Sequence, residues 1–189
     1  MTLEERRKLL IELLADPDEA VRTAAAEVIE QLESFQDLRQ IIANLASDKR
    51  GVRVKAIFAM EWINSPEVFP PLIELLKDPD ADIRAAAIQV LGHKAHPKSL
   101  QSLVRHLKDP APAVRVHTAD ALGNFDDPRL VPYLAAMLQE ADEQLVISAA
   151  RALGKLRTVE AAVPLAGLTK DPRATVRKAA VEALAKLPL

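Results

Sequence analysis

Length, composition and charge limit what this chain can be. Its 189 residues are 49% apolar and 28% charged, which is typical of a folded domain or short repeat array rather than a disordered chain. Only 3% are aromatic, which favours tightly packed helices over a β-sandwich. A net charge of −2 offers no bulk positive charge for nucleic acid or an anionic membrane, and the lack of cysteine excludes disulfides, thiolate metal sites and a cysteine nucleophile.

The N-terminal segment MTLEERRKLL is too charged for a secretory signal. No apolar run approaches the roughly 20 residues that span a bilayer. These features predict a cytoplasmic protein without membrane contact.

A 31-residue period runs through the whole chain without a gap. It aligns six residue pairs, which are Val21-Arg22, Val52-Arg53, Ile83-Arg84, Val114-Arg115, Leu145-Val146 and Val176-Arg177. Such a period indicates a stack of repeated units. We therefore expect a single domain over residues 1–189, with repeats at roughly 1–33, 34–64, 65–95, 96–126, 127–157 and 158–189.

Each unit reads as two helices. In the third, Ser65-Pro66 opens the first helix, because serine caps free backbone amides and proline is tolerated at the first helical position. Asp78-Pro79 repeats this signal for the second helix, and the Asp-Pro pair recurs at Asp16, Asp109 and Asp171. Gly92, Gly123 and Gly154 are expected to end the second helices, since glycine reaches left-handed backbone angles cheaply.

These repeat residues resemble a known family. The segments DPDADIRAAAIQVLG and DDPRLVPYLAAML are similar to the short HEAT repeats first associated with phycobilisome lyases. The resemblance covers residues 1–187 and implies an all-α, right-handed α-solenoid of six helical hairpins, about twelve helices in all. It also implies a protein-binding scaffold whose second helices line a concave groove.

The groove is predicted from helical periodicity. When the aligned Val, Ile or Leu is position 0 of each second helix, positions 0, +4, +7 and +8 form the core side and +2, +6 and +10 lie opposite. Those three columns are polar apart from a line of apolar residues that we expect to be exposed, with basic residues towards repeats five and six. The predicted partner-binding residues are Val54, Phe58, Trp62, Gln89, His93, Val116, Asp120, Ile147, Arg151 and Lys155.

Two simpler interpretations of these columns remain open. Repeat two is irregular, with Ser47 in place of the aspartate and Gly51 before the aligned valine, so Phe58 and Trp62 could instead fill a local gap. The basic residues could be an ordinary solvated face.

Arginine at +1 and aspartate at −5 form a second pattern. The arginines are Arg22, Arg53, Arg84, Arg115 and Arg177, and the aspartates are Asp16, Asp78, Asp109 and Asp171. We expect a structural ladder in which each aspartate caps a helix and each arginine reaches carboxylates or carbonyls at the turns. The ladder should break in repeat five, which has Glu140 and Val146.

No catalytic site or metal site is predicted, and no cofactor. The four histidines do not converge, and the chain lacks the His-Glu dipeptide by which one HEAT-repeat hydroxylase family binds iron. We expect a non-enzymatic adaptor that binds another protein or peptide. The sequence does not determine its oligomeric state, and a monomer is compatible with it. The alternative implied by the resemblance is a bilin-lyase-like or chromophore-handling protein.

Overall fold

A computed structural model describes the backbone of residues 3–188 and the side chains in that range except those of residues 3, 31 and 33–36. Throughout the described backbone the chain is helical and has no β-strand, which confirms the expected fold class. The chain divides into two compact units, Met1–Ala56 and Ile57–Leu189. The expectation of one domain over residues 1–189 stays a prediction.

The first unit contains α1 (Leu3–Leu13) packed against α2 (Glu19–Asn44), followed by the start of α3 (Arg50–Ala59). The 26-residue α2 runs straight through the expected boundary at residues 33–34, because its sequence contains neither glycine nor proline to end a helix there. It therefore joins the second helix of repeat one to the first helix of repeat two.

An open apolar cleft of about 400 Å³ lies between α1 and α2. Leu13, Ala24 and Val28 contribute to its walls, and Leu9 is 52% exposed nearby on α1. The polar residues Glu4, Arg6, Arg7 and Lys8 of α1 are exposed, and this apolar surface beside them is left uncovered within the described unit.

In the second unit, first and second helices alternate. Short 3₁₀ turns begin or end most of the first helices, which are rich in proline near their starts. The α-helices are α4 (Phe69–Glu74), α5 (Ala81–Lys94), α6 (Pro97–Arg105), α7 (Pro112–Leu122), α8 (Val131–Met137), α9 (Glu143–Leu156), α10 (Ala162–Leu168) and α11 (Ala174–Leu184).

The second helices α5, α7, α9 and α11 lie side by side, each packed on the next. Their core side is closed as expected: the position-0 residues Ile83, Val114, Leu145 and Val176 are all fully buried. The neighbouring column at +5 shows how one hairpin covers the one before it. Ile88, Ala119 and Ala150 are fully buried, whereas Val181, which no later hairpin covers in the described chain, is 59% exposed.

The glycines near the ends of these helices do not have the expected role. Gly92 and Gly154 lie inside α5 and α9, Gly123 follows α7 in right-handed geometry, and none of the described glycines has a positive φ. Ala95 and Arg157 occupy the left-handed positions instead. The expectation that these glycines supply left-handed helix ends is therefore wrong.

Close contact between helices explains the glycines instead. A Cβ added at Gly92, Gly123 or Gly154 would lie 2.8 Å from the Cα atom of an alanine on the next second helix. The facing alanines are Ala121, Ala152 and Ala183. Only a residue without a side chain allows the two backbones to approach so closely, so each glycine sets the distance between successive repeats.

The +1 arginines donate hydrogen bonds to the turn that precedes their own helix. Arg22 Nη1 lies 2.8 Å from the carbonyl oxygen of Asp16 and 3.0 Å from that of Pro17. Arg53 Nη1 bonds the Ser47 carbonyl at 3.1 Å. The pair of bonds seen for Arg22 recurs at Arg84 with Asp78 and Pro79, at Arg115 with Asp109 and Pro110, and at Arg177 with Asp171 and Pro172.

The aspartates of this pattern are not the helix caps that we expect. Asp78 Oδ1 accepts from the backbone N–H of Asp80, two residues on, and so closes a turn around Pro79. Asp80 is the N-cap of α5 and accepts from the N–H of Asp82. Asp16, Asp109 and Asp171 make the same two-residue turn.

The arginine of repeat three also joins its repeat to the next one. Arg84 grips the carboxylate of Asp109 with two bonds, Nε to Oδ2 at 2.9 Å and Nη2 to Oδ1 at 2.8 Å, and the Asp109 side chain is only 4% exposed. Burial by itself raises the pKa of the Asp109 carboxyl, but the bonds from Arg84 and from the N–H of Ala111 outweigh it, so its pKa lies below the ordinary value. The ion pair between Arg84 and Asp109 therefore contributes its full stability at pH values above the ordinary carboxyl pKa. That stability is lost as the pH falls through the lowered pKa of Asp109.

Repeat five has no arginine at the +1 position, and an arginine of repeat six bonds to the turn of repeat five instead. Val146 is fully buried at the +1 position. Arg173 of repeat six donates from Nη1 to the carbonyl of Ala141 at 3.2 Å, the position that the proline carbonyl has in other repeats. Arg173 also grips Asp171 with two bonds of 2.9 Å, which lower the pKa of Asp171 to about 2.

Gly123→Ala is expected to lower the free energy of unfolding by about 2 kcal/mol, because the new methyl group overlaps Ala152. Gly167→Ala in α10 is the matched control. Its added Cβ meets no atom within 4 Å, so this variant should gain up to about 1 kcal/mol from the better helix former. Urea unfolding of both variants measures the difference, and equal effects would contradict a role for Gly123 in helix spacing.

Arg84→Ala is expected to lower the free energy of unfolding by about 3 kcal/mol, since it leaves the buried carboxylate of Asp109 without its cation. Arg177 is exposed and donates the equivalent pair of bonds to the turn carbonyls. Arg177→Ala should therefore lower the free energy of unfolding by only about 1 kcal/mol. The comparison is made by urea unfolding at neutral pH. A loss at Arg84 no larger than that at Arg177 would show that the bridge to Asp109 contributes nothing.

Candidate partner-binding face

The second helices expose two columns of side chains away from the core. The second-helix face is defined here by the +6 and +10 positions of residues 57–189, which are Phe58, Gln89, Asp120, Arg151 and Glu182, and Trp62, His93, Asn124, Lys155 and Lys186. Gln89 is half-buried and the others are exposed. The binding role assigned to this face stays a prediction, but the exposure of its side chains is a structural fact.

An aromatic pair lies at one end of the second-helix face. Helix α3 stops at Ala59 and passes into a 3₁₀ turn, Met60–Trp62, before Ile63 becomes extended. Met60 takes the fully buried position of this turn, so Trp62 is directed outward and is 85% exposed. Phe58, one turn earlier, is 36% exposed. Trp62 therefore does not fill a gap in repeat two, because most of its surface meets solvent.

Polar contacts tie the +10 column together from repeat to repeat. His93 Nδ1 lies 2.8 Å from Oε1 of Glu61, beside Trp62 in sequence. Asn124 donates to the carbonyl of Gly92 at 3.3 Å, and Lys155 Nζ donates to Asn124 Oδ1 at 3.0 Å. These bonds hold the exposed side chains in a defined order across the helices.

The +2 column does not form the exposed apolar line that we expect. Ile147 is only 7% exposed and Ala85 only 6%, while Val116 is half-buried. Val54 belongs to the first unit and is also half-buried. The expectation of an apolar stripe along the middle of the face is therefore wrong, and the exposed apolar surface is concentrated at Phe58 and Trp62.

Two clefts open among the basic residues of the face. One, of about 220 Å³, lies between α9 and α11 and is lined by Arg151, Lys178 and Glu182 over Ile147. The other, of about 460 Å³, lies at the ends of α7, α9 and α11 and is lined by Lys155, Arg157 and Lys186. Sequence reasoning missed Arg157, which follows α9 with a φ of 48° and is exposed there. No helix-end signal in the sequence marks Arg157, since the equivalent positions Ala95 and Asp126 are not glycine either.

The histidines have separate local roles. His96 is the N-cap of α6 and its ring lies 4.3 Å from that of Phe69. The ring nitrogens of His106 lie 2.8 and 2.9 Å from the carbonyls of Ser102 and Leu76, while His117 lies 3.4 Å from Gln89. In the part of the chain that the structure describes, no group of three or more His, Asp or Glu side chains is placed to hold a metal ion. None of the described helices has the length and apolarity to cross a membrane.

Comparisons with known proteins identify the repeat. A family model for HEAT repeats matches residues 35–112 and again residues 106–185, and a model for the single HEAT repeat matches residues 7–35. Among curated proteins, none matches this chain in sequence.

Solved structures share the fold at low sequence identity. The complex of CpcE and CpcF of phycocyanin lyase from Nostoc sp. PCC7120 matches with a TM-score of 0.67 and 21% identity, covering 79% of this chain and 98% of that one. The YibA protein of E. coli matches with a TM-score of 0.65 and 21% identity over 97% of this chain and 72% of that one. A designed armadillo repeat protein in complex with the peptide (KR)4 matches with a TM-score of 0.58 and 18% identity over 95% and 98%.

Trp62 fluorescence should report an indole in water. Because Trp62 is the only tryptophan and is 85% exposed, its emission in the folded protein is expected at the long wavelength of the unfolded chain, with efficient quenching by acrylamide. Circular dichroism verifies that the sample is folded. A blue-shifted emission that resists acrylamide would contradict the exposed position.

Proposed function

Because this chain belongs to the HEAT-repeat family, we propose that it is a non-enzymatic scaffold that binds a protein or peptide on the second-helix face. The observation that carries this proposal is the 85% exposure of Trp62 beside the partly exposed Phe58, on a face that is otherwise polar. Tryptophan is among the residues that most often dominate binding energy at protein interfaces. A large exposed aromatic surface also costs solubility, so its presence favours a use in binding.

The order of the surrounding polar groups supports the same proposal. The bonds from His93 to Glu61, from Asn124 to Gly92 and from Lys155 to Asn124 restrain side chains that a partner would contact. Restrained side chains lose less conformational entropy on binding than free ones. A rigid row of this kind suits recognition of an extended segment that crosses several repeats. The designed armadillo repeat protein, which shares the fold, has a peptide bound.

Chromophore handling is the alternative to a scaffold. Its only support is the similarity of fold to the phycocyanin lyase complex, and a similarity at 21% identity supports the fold alone. Mixing the purified protein with a bilin and recording its absorbance separates the two functions, because a bound tetrapyrrole changes its spectrum and a scaffold leaves it unchanged.

Selection of a displayed random peptide library on the immobilised protein tests the scaffold proposal. Peptides enriched on the wild type should lose at least about tenfold in affinity for Trp62→Ala, because the anchor side chain is removed. Tyr133→Ala is the matched control, since Tyr133 is a 51% exposed aromatic on the first helix α8, outside the second-helix face. This control should bind as the wild type does.

Two results would contradict the proposal. If no peptide is enriched on the wild type, the scaffold function fails. If enriched peptides bind Trp62→Ala as tightly as the wild type, recognition occurs elsewhere and the second-helix face is not the site.

A further inference from the structure

Three cations surround the 460 Å³ cleft at the ends of α7, α9 and α11. They are Lys155, Arg157 and Lys186, and Asp126 is the one carboxylate among the lining residues. All three basic side chains are exposed at the cleft. The rest of the lining is apolar or uncharged, so the cleft has a net positive charge.

The cations of this cleft have no carboxylate partner in the described structure. Lys155 bonds the amide oxygen of Asn124, and none of the described Asp or Glu side chains lies within ion-pair distance of Lys155, Arg157 or Lys186. Elsewhere in the same unit Lys77 pairs with Glu74 and Lys178 with Glu182, whereas the exposed Lys98, Lys108 and Lys170 also lack a carboxylate partner among the described side chains. What distinguishes the cleft is that three such cations line one cavity. The helix dipole favours basic side chains in the last turn of a helix. This effect would place single cations at helix ends, but it does not by itself gather them around a cleft.

A like-charge pair extends the basic surface along α9. Arg151 and Lys155 are four residues apart and both exposed, which places two positive charges side by side on one helix face. Such a pair destabilises a helix slightly. Arg151 also lines the neighbouring 220 Å³ cleft, so the positive surface continues from one cleft to the next.

We propose that the 460 Å³ cleft binds the carboxylates of an acidic, extended segment in the protein partner. This inference rests on the proposed scaffold function and adds the chemistry of its partner. Lys155, Arg157 and Lys186 would supply charge-assisted hydrogen bonds to carboxylates, and Arg151 would attract acidic residues next to them.

The second-helix face also sets the spacing within that segment. Trp62 and Lys155 occupy the same +10 position three repeats apart, with His93 and Asn124 between them. Packed helices lie about 8–10 Å apart, so the two ends of the column are roughly 24–30 Å apart. An extended chain covers about 3.3 Å per residue, which places an apolar anchor about seven to nine residues from the acidic residues.

A nucleic acid fits this surface less well than an acidic peptide does. Phosphates repeat along a strand and require cations all along the binding path. Between Trp62 and Lys155 the path instead offers His93 paired with Glu61, the uncharged Gln89 and Asn124, and the exposed carboxylate of Asp120. Positive charge is confined to one end, as a locally acidic segment requires.

Fluorescence anisotropy with dye-labelled octaglutamate at low ionic strength tests the inference. The wild type should bind this peptide and not octalysine, and added salt should weaken the binding. Lys155→Glu combined with Lys186→Glu should weaken binding at least about tenfold. The matched control is Lys98→Glu combined with Lys108→Glu, which changes the net charge equally at exposed positions of α6 and the turn after it, and should bind as the wild type does.

Three results would overturn the inference. The inference is wrong if octaglutamate does not bind, if the control pair of substitutions weakens binding as much as the cleft pair, or if an eight-residue oligothymidylate binds as tightly as octaglutamate. The scaffold proposal is judged separately by the displayed peptides. If they bind through Trp62 while octaglutamate does not bind, the acidic specificity is wrong and the scaffold function stands.

Discussion

The contact between a glycine on one second helix and an alanine on the next is the constraint on which the second unit depends. At Gly92, Gly123 and Gly154 the added Cβ would come within 2.8 Å of a backbone atom of the following helix. Helices held this close bring the fully buried +5 side chains of one hairpin against the next. The same spacing separates the exposed +6 and +10 side chains, so the distance between potential binding residues is set by backbone contact rather than by the exposed residues themselves.

The arginine ladder stabilises the opposite end of these helices. Four of the +1 arginines satisfy carbonyls in their own Asp-Pro turns, which orients the start of the second helix relative to the first. Arg84 with Asp109, and Arg173 with Ala141, extend this bonding between neighbouring repeats. Close packing at the glycine end and charge-assisted bonds at the turn end thus restrain α5 and α7 at both termini, and their exposed side chains inherit that order.

A restrained face with unlike ends can distinguish partners. Trp62 provides apolar surface at one end, and Lys155, Arg157 and Lys186 provide positive charge at the other. Burial of an aromatic side chain supplies affinity, whereas complementary charge acts more on the rate and selectivity of association. In the proposed function the two ends would work on one segment, which would then bind in a single direction. The same fold in other proteins serves different functions, so the exposed residues rather than the architecture carry this specificity.

The sequence by itself determined the 31-residue period, the helical hairpins, the HEAT-repeat family and the buried position-0 column, because these follow from local periodicity and from residues that begin helices. It also placed Trp62 and Phe58 on the exposed side of their helix. Tertiary structure alone decided that Ile147 is covered, that the glycines serve helix contact, that Asp80 rather than Asp78 caps α5, and that Arg157 meets Lys155 and Lys186 around one cleft. Each of these depends on which atoms of a neighbouring repeat lie nearby, and a pattern within one helix contains no information about that distance.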